Sequence, residues 1–190
     1  DLEAVYAEEE VIGARESRIS SRYEQFSQMG DTSKLLRLLG LAKVKHVQKF
    51  VDDLLESTDK VVIFFRHTAV GAQLFDHFAG RGLRPVVYQG GMSDALKDDA
   101  RQTFMDDREC RVFIGQQTAA GTGINGLQRA CSVAVDCEPS WTPGDTEQWI
   151  GRLDRMGQED ELVNYYVLYA RATLDAVKTG VHDRKETVGG

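Results

Sequence analysis

The chain has 190 residues, of which 42% are hydrophobic and 28% are charged, and its formal net charge is −7. This size and composition fit a soluble globular protein with one substantial core, and no apolar run is long enough to span a bilayer. The acidic balance argues against binding nucleic acid through bulk charge alone, although it is compatible with a local basic surface.

The first 30 residues predict one long helix. Val5, Ile12, Ile19 and Phe26 recur every seven residues, and such an apolar stripe needs a partner surface. The partner is either a second copy in a coiled coil or, as we expect, another part of a larger protein, because the intervening positions are not consistently apolar. The opening DLEAVYAEEE has no signal-peptide pattern and no initiating Met, so we expect a fragment of a longer chain.

The segment GDTS at 30–33 is expected to end this helix, and a second helix is expected over about residues 42–57. Basic residues recur along KLLRLLGLAKVKHVQK, residues 34–49. They form either an ordinary solvated helix face or a local basic surface for a polyanion.

From Lys60 onward, short runs rich in β-branched and aromatic residues alternate with segments of helix length. The predicted strands are VVIFF (61–65), PVVY (85–88), RVFIG (111–115), SVAVD (132–136) and NYYVLY (164–169). Further helices are predicted at about 69–81, 94–106, 144–155 and 172–186. Continuous apolar strands that alternate with helices predict an α/β fold with a mainly parallel sheet covered on both faces.

The three cysteines, Cys110, Cys131 and Cys137, form no C-x-x-C pair, and the four histidines show no metal-ligand spacing. We therefore expect structural thiols in a reducing, intracellular compartment and no zinc site.

The stretch GTGINGLQ, residues 121–128, contains the G-x-G-x-x-G spacing of dinucleotide-binding turns. Such a turn needs a strand directly before the glycines and a long helix after them. Here QQTAA separates the strand from the glycines, and only LQRAC precedes the next strand, so a Rossmann-type oxidoreductase is disfavoured. The glycines lie in a loop at the carboxyl end of a parallel strand, where they either expose N–H groups to an anion or only permit a tight turn.

The stretch SWTPGDTEQWIGRLDRMGQ, residues 140–158, predicts a helix that begins after Thr142 and ends near Gly157. Gln148, Arg152 and Arg155 share one face of this helix. Two guanidinium groups that point the same way suit a polyanion such as a triphosphate. The alternative is a set of surface ion pairs with neighbouring carboxylates, each worth about 0–1 kcal/mol.

Six segments stand in a fixed order along the chain: LGLAKVKHVQKFVDDLLES (39–57), KVVIFFRH (60–67), VYQGGMSDALKDDARQTF (87–104), TAAGTGIN (118–125), VDCEPSWTP (135–143) and Q-x-x-x-R-x-x-R-x-G-Q (148–158). Together they resemble the second RecA-like lobe, or helicase C-terminal domain, of Swi/Snf-type ATPases in helicase superfamily two, close to the annealing-helicase branch. The resemblance covers about residues 34–178 and includes that family's motifs IV, V and VI. It implies a RecA-like (P-loop NTPase-like) three-layer sandwich at 59–190, with residues 1–58 as a helical extension towards a first lobe.

The resemblance also implies the chemistry. In this family ATP and Mg²⁺ bind between two lobes, and the present chain has neither a G-x-x-x-x-G-K-[ST] segment nor a D-E-x-H or D-E-x-D box. Arg152 and Arg155 would be arginine fingers on the triphosphate, with Gln148, Gly123 and Asn125 at the nucleotide cleft. The residues expected near a nucleic-acid backbone are Arg66, His67, Gly90, Gly91, Thr118 and Ala119.

The resulting hypothesis is one half of a nucleic-acid-dependent ATPase, a helicase or DNA translocase. Its partners would be an N-terminal RecA-like lobe of the same protein and nucleic acid, taken as double-stranded DNA, and no membrane. The alternative is a non-catalytic nucleic-acid- or partner-binding module derived from such a lobe. Without a phosphate-binding loop, the chain alone is expected not to hydrolyse ATP.

Overall fold

The computed structural model describes residues 32–119, 124, 126–140, 162–170 and 173. These residues contain three α-helices described over their whole length, named here α1 (Thr32–Leu54), α2 (Thr68–Gly80) and α3 (Asp94–Asp106). They also contain a 3₁₀ turn (Leu127–Arg129) and five strands: β1 (Val61–Phe65), β2 (Val86–Tyr88), β3 (Val112–Gln116), β4 (Val133–Asp136) and β5 (Asn164–Val167). Residues 117–119 are also helical.

The five described strands form one parallel sheet in the order β2-β3-β1-β4-β5. The central strand β1 pairs with β3, where Val61 lies opposite Val112, and with β4, where Val62 lies opposite Ala134. Every residue of β1 is buried, because helices cover the sheet, and this explains why its sequence is continuously apolar and not alternating. The predicted strands and the predicted parallel sheet are confirmed.

The helices lie on both faces of the sheet. On one face, the ring of Phe65 lies directly under Gly71 of α2, where an added β-carbon would come within 2.6 Å of it. On the other face, Phe104 of α3 packs edge-on against Phe113 of β3, with 5.3 Å between ring centroids. Since Phe113 pairs with Val62, it projects from the face opposite to Phe65. The predicted three-layer α/β sandwich is therefore confirmed.

Helix α1 begins about ten residues earlier than expected, at Thr32 and not near residue 42. The expected break at residues 30–33 is wrong for Thr32 and Ser33, which are already helical. The buried stripe explains the early start, because Leu36 and Gly40 continue the face that Val44 and later residues present to the core. A glycine inside a helix costs about 1 kcal/mol, which the burial of this stripe outweighs.

Helix α1 shares its hydrophobic core with the sheet. Val44, Val47 and Val51 belong to the same buried cluster as Ile63 of β1, and Phe50 packs edge-on against Tyr166 of β5 at 5.3 Å between ring centroids. The division between residues 58 and 59 stays a prediction, and the described part of the first segment packs directly on the second.

The other predictions concern the remaining helices, the cysteines and a membrane crossing. Helices α2 and α3 confirm the segments expected at about 69–81 and 94–106, and the three cysteines are buried free thiols. Of the described helices, none combines the length and the apolar character that a membrane crossing requires. The helices expected over residues 1–30 and 144–155 lie outside the described residues, as does the helix expected over 172–186 except for Thr173, which is in a bend.

Candidate functional site

Loops that follow the strands meet at the carboxyl edge of the sheet, where ligands bind in open parallel α/β sheets. The structure places every described candidate for nucleic-acid contact on one of three segments that directly follow a strand, two of them loops and the third helical. Arg66 and His67 follow β1, Gly90 and Gly91 follow β2, and Thr118 and Ala119 follow β3. The backbone of Gly91 is left-handed, with a φ of 81°, which explains the need for glycine at this turn.

Gln116, the last residue of β3, connects two of these loops. Its side-chain nitrogen Nε2 donates a hydrogen bond to the carbonyl oxygen of Arg66 at 3.1 Å, and its Oε1 accepts one from the backbone N–H of Gly90 at 2.8 Å. One amide side chain therefore sets the spacing between the loop after β1 and the loop after β2.

The side chain of Glu138 holds the loop after β1 in place through hydrogen bonds. Its Oε2 accepts hydrogen bonds from the backbone N–H groups of Arg66 and His67 at 2.8 and 2.9 Å. Its Oε1 lies 2.6 Å from Nδ1 of the His67 ring. The Glu138 side chain is 5% exposed and that of His67 is 15% exposed, so the histidine ring is held towards the protein while the neighbouring Arg66 is exposed.

Asp136, at the end of β4, is fully buried in a polar network. Its Oδ1 accepts from Nε2 of Gln117 at 2.9 Å and from the N–H of Glu138 at 3.0 Å, and its Oδ2 accepts from the hydroxyl of Tyr165 at 3.2 Å. Burial raises the pKa of Asp136 to about 6, and these hydrogen bonds oppose the rise. Burial also holds the pKa of Tyr165 well above its usual value, so its hydroxyl remains a donor.

The basic stretch at 34–49 divides between surface and interior. Lys43 is buried and donates from Nζ to the carbonyl oxygen of Leu168 at 3.1 Å, whereas Lys34 and Lys45 are exposed. Lys49 pairs with Asp53 one turn later, at 3.0 Å. Lys43 therefore acts inside the fold, and the other lysines fit an ordinary solvated helix face.

The glycine-rich loop is described only in part. Gly123 and Asn125 lie outside the described residues, as do Gln148, Arg152 and Arg155. Gly126 has a φ of 100° and is followed by the three-residue 3₁₀ turn, not by a long helix. At Gly126 the positive φ by itself accounts for the glycine, and the dinucleotide interpretation lacks the helix it needs.

Sequence analysis missed the polar side chains that support these loops. Gln116 ends a buried strand and Gln117 directly follows it, and Glu138 follows another strand. A detectable signal is a polar residue that directly ends a fully apolar strand, because such a residue must either bind something or satisfy neighbouring backbone groups.

Comparisons with known proteins bear on the family and the fold of the chain. Residues 42–157 match the family model described as helicase conserved C-terminal domain. The human protein "DNA annealing helicase and endonuclease ZRANB3" is 28% identical over 163 residues, which cover 85% of this chain and 15% of that protein. The Xenopus tropicalis protein "SWI/SNF-related matrix-associated actin-dependent regulator of chromatin subfamily A-like protein 1" is 29% identical over 136 residues, which cover 70% and 14%.

A solved structure, the C-terminal part of the Fun30 ATPase domain, superimposes with a TM-score of 0.62 at 23% identity. The superposition covers 74% of this chain and 44% of that one, and it shows the same fold. The chain spans only about a seventh of the two relatives named above. With more than half of its residues matched by the family model, the chain belongs to the helicase conserved C-terminal domain family, and its fold is a RecA-like α/β fold.

Proposed function

We propose that this chain is the second lobe of a nucleic-acid-dependent ATPase that acts as a helicase or DNA translocase. The observation that carries the proposal is the extent of the family match. Residues 42–157 include both the loops at the carboxyl edge of the sheet and the segment with Arg152 and Arg155. The names of the relatives, an annealing helicase and a chromatin regulator, favour work on DNA inside the cell.

In this proposal the nucleotide chemistry depends on arginines. Arg152 and Arg155 extend towards the triphosphate held by an N-terminal lobe of the same protein, and an arginine finger of this kind accelerates hydrolysis by about 10³–10⁵. Gln148, Gly123 and Asn125 shape the same cleft. Arginine suits this task because its guanidinium group stays charged and matches phosphate oxygens in pairs.

ATP and Mg²⁺ would be bound mainly by the other lobe. The two carboxylates at the described edge, Asp136 and Glu138, each accept three hydrogen bonds from protein donors. They are therefore poorly suited as additional Mg²⁺ ligands, and the sequence offers no phosphate-binding loop. In the proposal, hydrolysis of ATP releases the free energy that the protein uses. This chain stabilises the negative charge on the triphosphate and closes the cleft.

The nucleic-acid surface of the proposal consists of the three segments that follow β1, β2 and β3 at the carboxyl edge. Arg66 offers a charged side chain, and the exposed residue Thr118 carries a hydroxyl group beside Ala119. Gly90 and Gly91 allow close approach of backbone to backbone. His67 contributes its backbone to the loop, since its ring faces Glu138. Such contacts position a duplex by its phosphates without reading its sequence, which fits a protein that moves along DNA.

The test is the substitution Arg155→Ala in the intact protein that carries this chain. We expect DNA-stimulated ATP hydrolysis to fall by at least about 10³-fold, with little loss of duplex affinity. The matched control is Arg108→Ala, since Arg108 is exposed in the turn before β3, at the opposite edge of the sheet.

The same pair of variants separates the alternative function. If the protein binds duplex DNA but Arg155→Ala leaves ATP turnover unchanged, the chain is a binding module and not half of an ATPase. ATP hydrolysis by the 190-residue chain alone would contradict the shared-site arrangement.

A further inference from the structure

The whole connection between β1 and α2 consists of Arg66 and His67, and one carboxylate holds it. Glu138 accepts both backbone N–H groups of this connection through Oε2 and meets the His67 ring through Oε1. The carboxylate also lies at the amino end of α2, where the helix dipole favours negative charge. The position of Arg66 at the sheet edge therefore depends on Glu138.

The backbone of Glu138 is fixed in turn by Gln117, in the helical segment that directly follows β3. Nε2 of Gln117 donates to the carbonyl oxygen of Glu138 at 2.9 Å and also to Asp136. Gln117 directly precedes Thr118, one of the candidate phosphate contacts. A single hydrogen-bonded unit thus joins the loop that carries Arg66 to the helical segment that carries Thr118.

We propose that Glu138 is a positioning residue for nucleic-acid binding, which holds the Arg66–His67 connection in the conformation that contacts the phosphate backbone. This role rests on the proposed function of the chain. Glu138 acts through Arg66 and not by contact, since its side chain is only 5% exposed and a carboxylate repels phosphate.

The sign of the effect distinguishes positioning from bulk electrostatics. Removal of a negative charge near a polyanion site strengthens binding if only charge matters. Removal of the Glu138 carboxylate as a hydrogen-bond acceptor weakens binding if positioning matters. Arg66 and His67 must then become ordered when the duplex binds, and this ordering costs free energy. The two effects therefore have opposite signs at the same residue.

Three variants of Glu138 in the intact protein separate charge from hydrogen bonding. Glu138→Gln removes the charge but keeps an oxygen acceptor, Glu138→Asp keeps the charge but shortens the reach, and Glu138→Ala removes both. Affinity for a short duplex of mixed sequence is measured by fluorescence anisotropy, without nucleotide. The control is Glu109→Ala, at an exposed position in the turn before β3.

We expect Glu138→Ala and Glu138→Asp to weaken duplex binding by about fivefold or more, within the usual range of coupling between sites. Glu138→Gln and Glu109→Ala should bind within about twofold of the parent. Amide hydrogen exchange, read by mass spectrometry on a peptide that spans residues 64–70, should accelerate in the Ala and Asp variants and not in the Gln variant. The exchange measurement needs no ligand and also reports whether each variant is folded.

Each result that contradicts these expectations has its own interpretation. Tighter binding by both Glu138→Ala and Glu138→Gln overturns the positioning role in favour of simple charge repulsion. Accelerated exchange without weaker binding overturns it as well. If the parent protein does not bind the duplex at all, the proposed function fails first, and the positioning role fails with it.

Discussion

The backbone of Gly40 in α1 lies against the carboxylate of Glu138. A β-carbon at Gly40 would come within 2.9 Å of Glu138 Cδ and 3.0 Å of Val70 Cγ2, distances that real side chains avoid. Helix α1 thus approaches the site through a position that only glycine can occupy without displacing Glu138. This contact links the first described helix to the connection that carries Arg66.

We predict that Gly40→Ala destabilises the protein by about 1–3 kcal/mol, the usual cost of overpacking. Alanine favours a helix by about 1 kcal/mol over glycine, but Glu138 cannot move without losing hydrogen bonds. Gly80→Ala is the control, because no atom lies within 4 Å of the added β-carbon there. Urea denaturation of both variants measures the difference, and equal midpoints would contradict a tight contact at Gly40.

The pKa of Asp136 predicts a dependence of stability on pH. Because the folded-state pKa of about 6 lies above the ordinary value of 3.8, the fold favours the protonated acid. Stability from this group is therefore greatest below about pH 4 and is lost as the pH rises towards and past 6. Asp136→Asn removes this titration and retains an amide that can pair with Gln117 and Tyr165.

We expect the free energy of unfolding of the parent, relative to Asp136→Asn, to fall by about 2 kcal/mol between about pH 4.5 and about pH 7.5. Denaturant titrations at a series of pH values check this. A constant difference across the range would show that Asp136 has an ordinary pKa in the fold.

Gln116→Ala removes the bridge between the loops after β1 and β2. Because Gly90 is exposed, water replaces its lost partner, and the free energy of unfolding should change by only about 1 kcal/mol. Duplex affinity should still fall, since Arg66 and Gly90 lose their fixed spacing. The control is Gln73→Ala, at an exposed position on α2. Anisotropy titrations of both variants measure the effect, and unchanged affinity in Gln116→Ala would remove Gln116 from the site.

Arg66→Ala tests direct phosphate contact. A lost phosphate contact reduces the slope of log affinity against log salt concentration by about 1. The control Arg108→Ala, at the opposite edge, should leave the slope unchanged. Titrations at several salt concentrations measure both slopes, and an unchanged slope for Arg66→Ala would exclude a phosphate contact by this side chain.

Much of the fold was predictable because strands that are buried on both faces of a sheet have continuously apolar sequences. The five apolar runs predicted the five strands, and α3 matches its expected range of 94–106. The start of α1 was not predictable in the same way. Thr32 and Ser33 resemble a helix break in isolation, and Gly40 resembles another, but the core that receives Leu36 and Val44 stabilises the helix through them.

The candidate site, like the fold, was predictable from the sequence only in part. Motif order predicted which segments contact nucleic acid, a role that stays a prediction, and the parallel sheet brings these segments to one edge. It did not predict that Glu138, 72 residues after Arg66 in the chain, accepts the N–H of Arg66. Nor did it predict that the side chain of Gln116 accepts a hydrogen bond from the N–H of Gly90. These partners are distant in sequence, and no local pattern specifies them.

The sequence by itself determined the class of fold, the order of the strands along the chain and the family, since each depends on local apolar patterns and motif spacing. The tertiary structure decided which strands are neighbours and which buried carboxylate orders which loop. The physical reason is that a buried polar group must find its hydrogen-bond partner in space, and the partner is chosen by the packing of whole elements and not by neighbours in the chain.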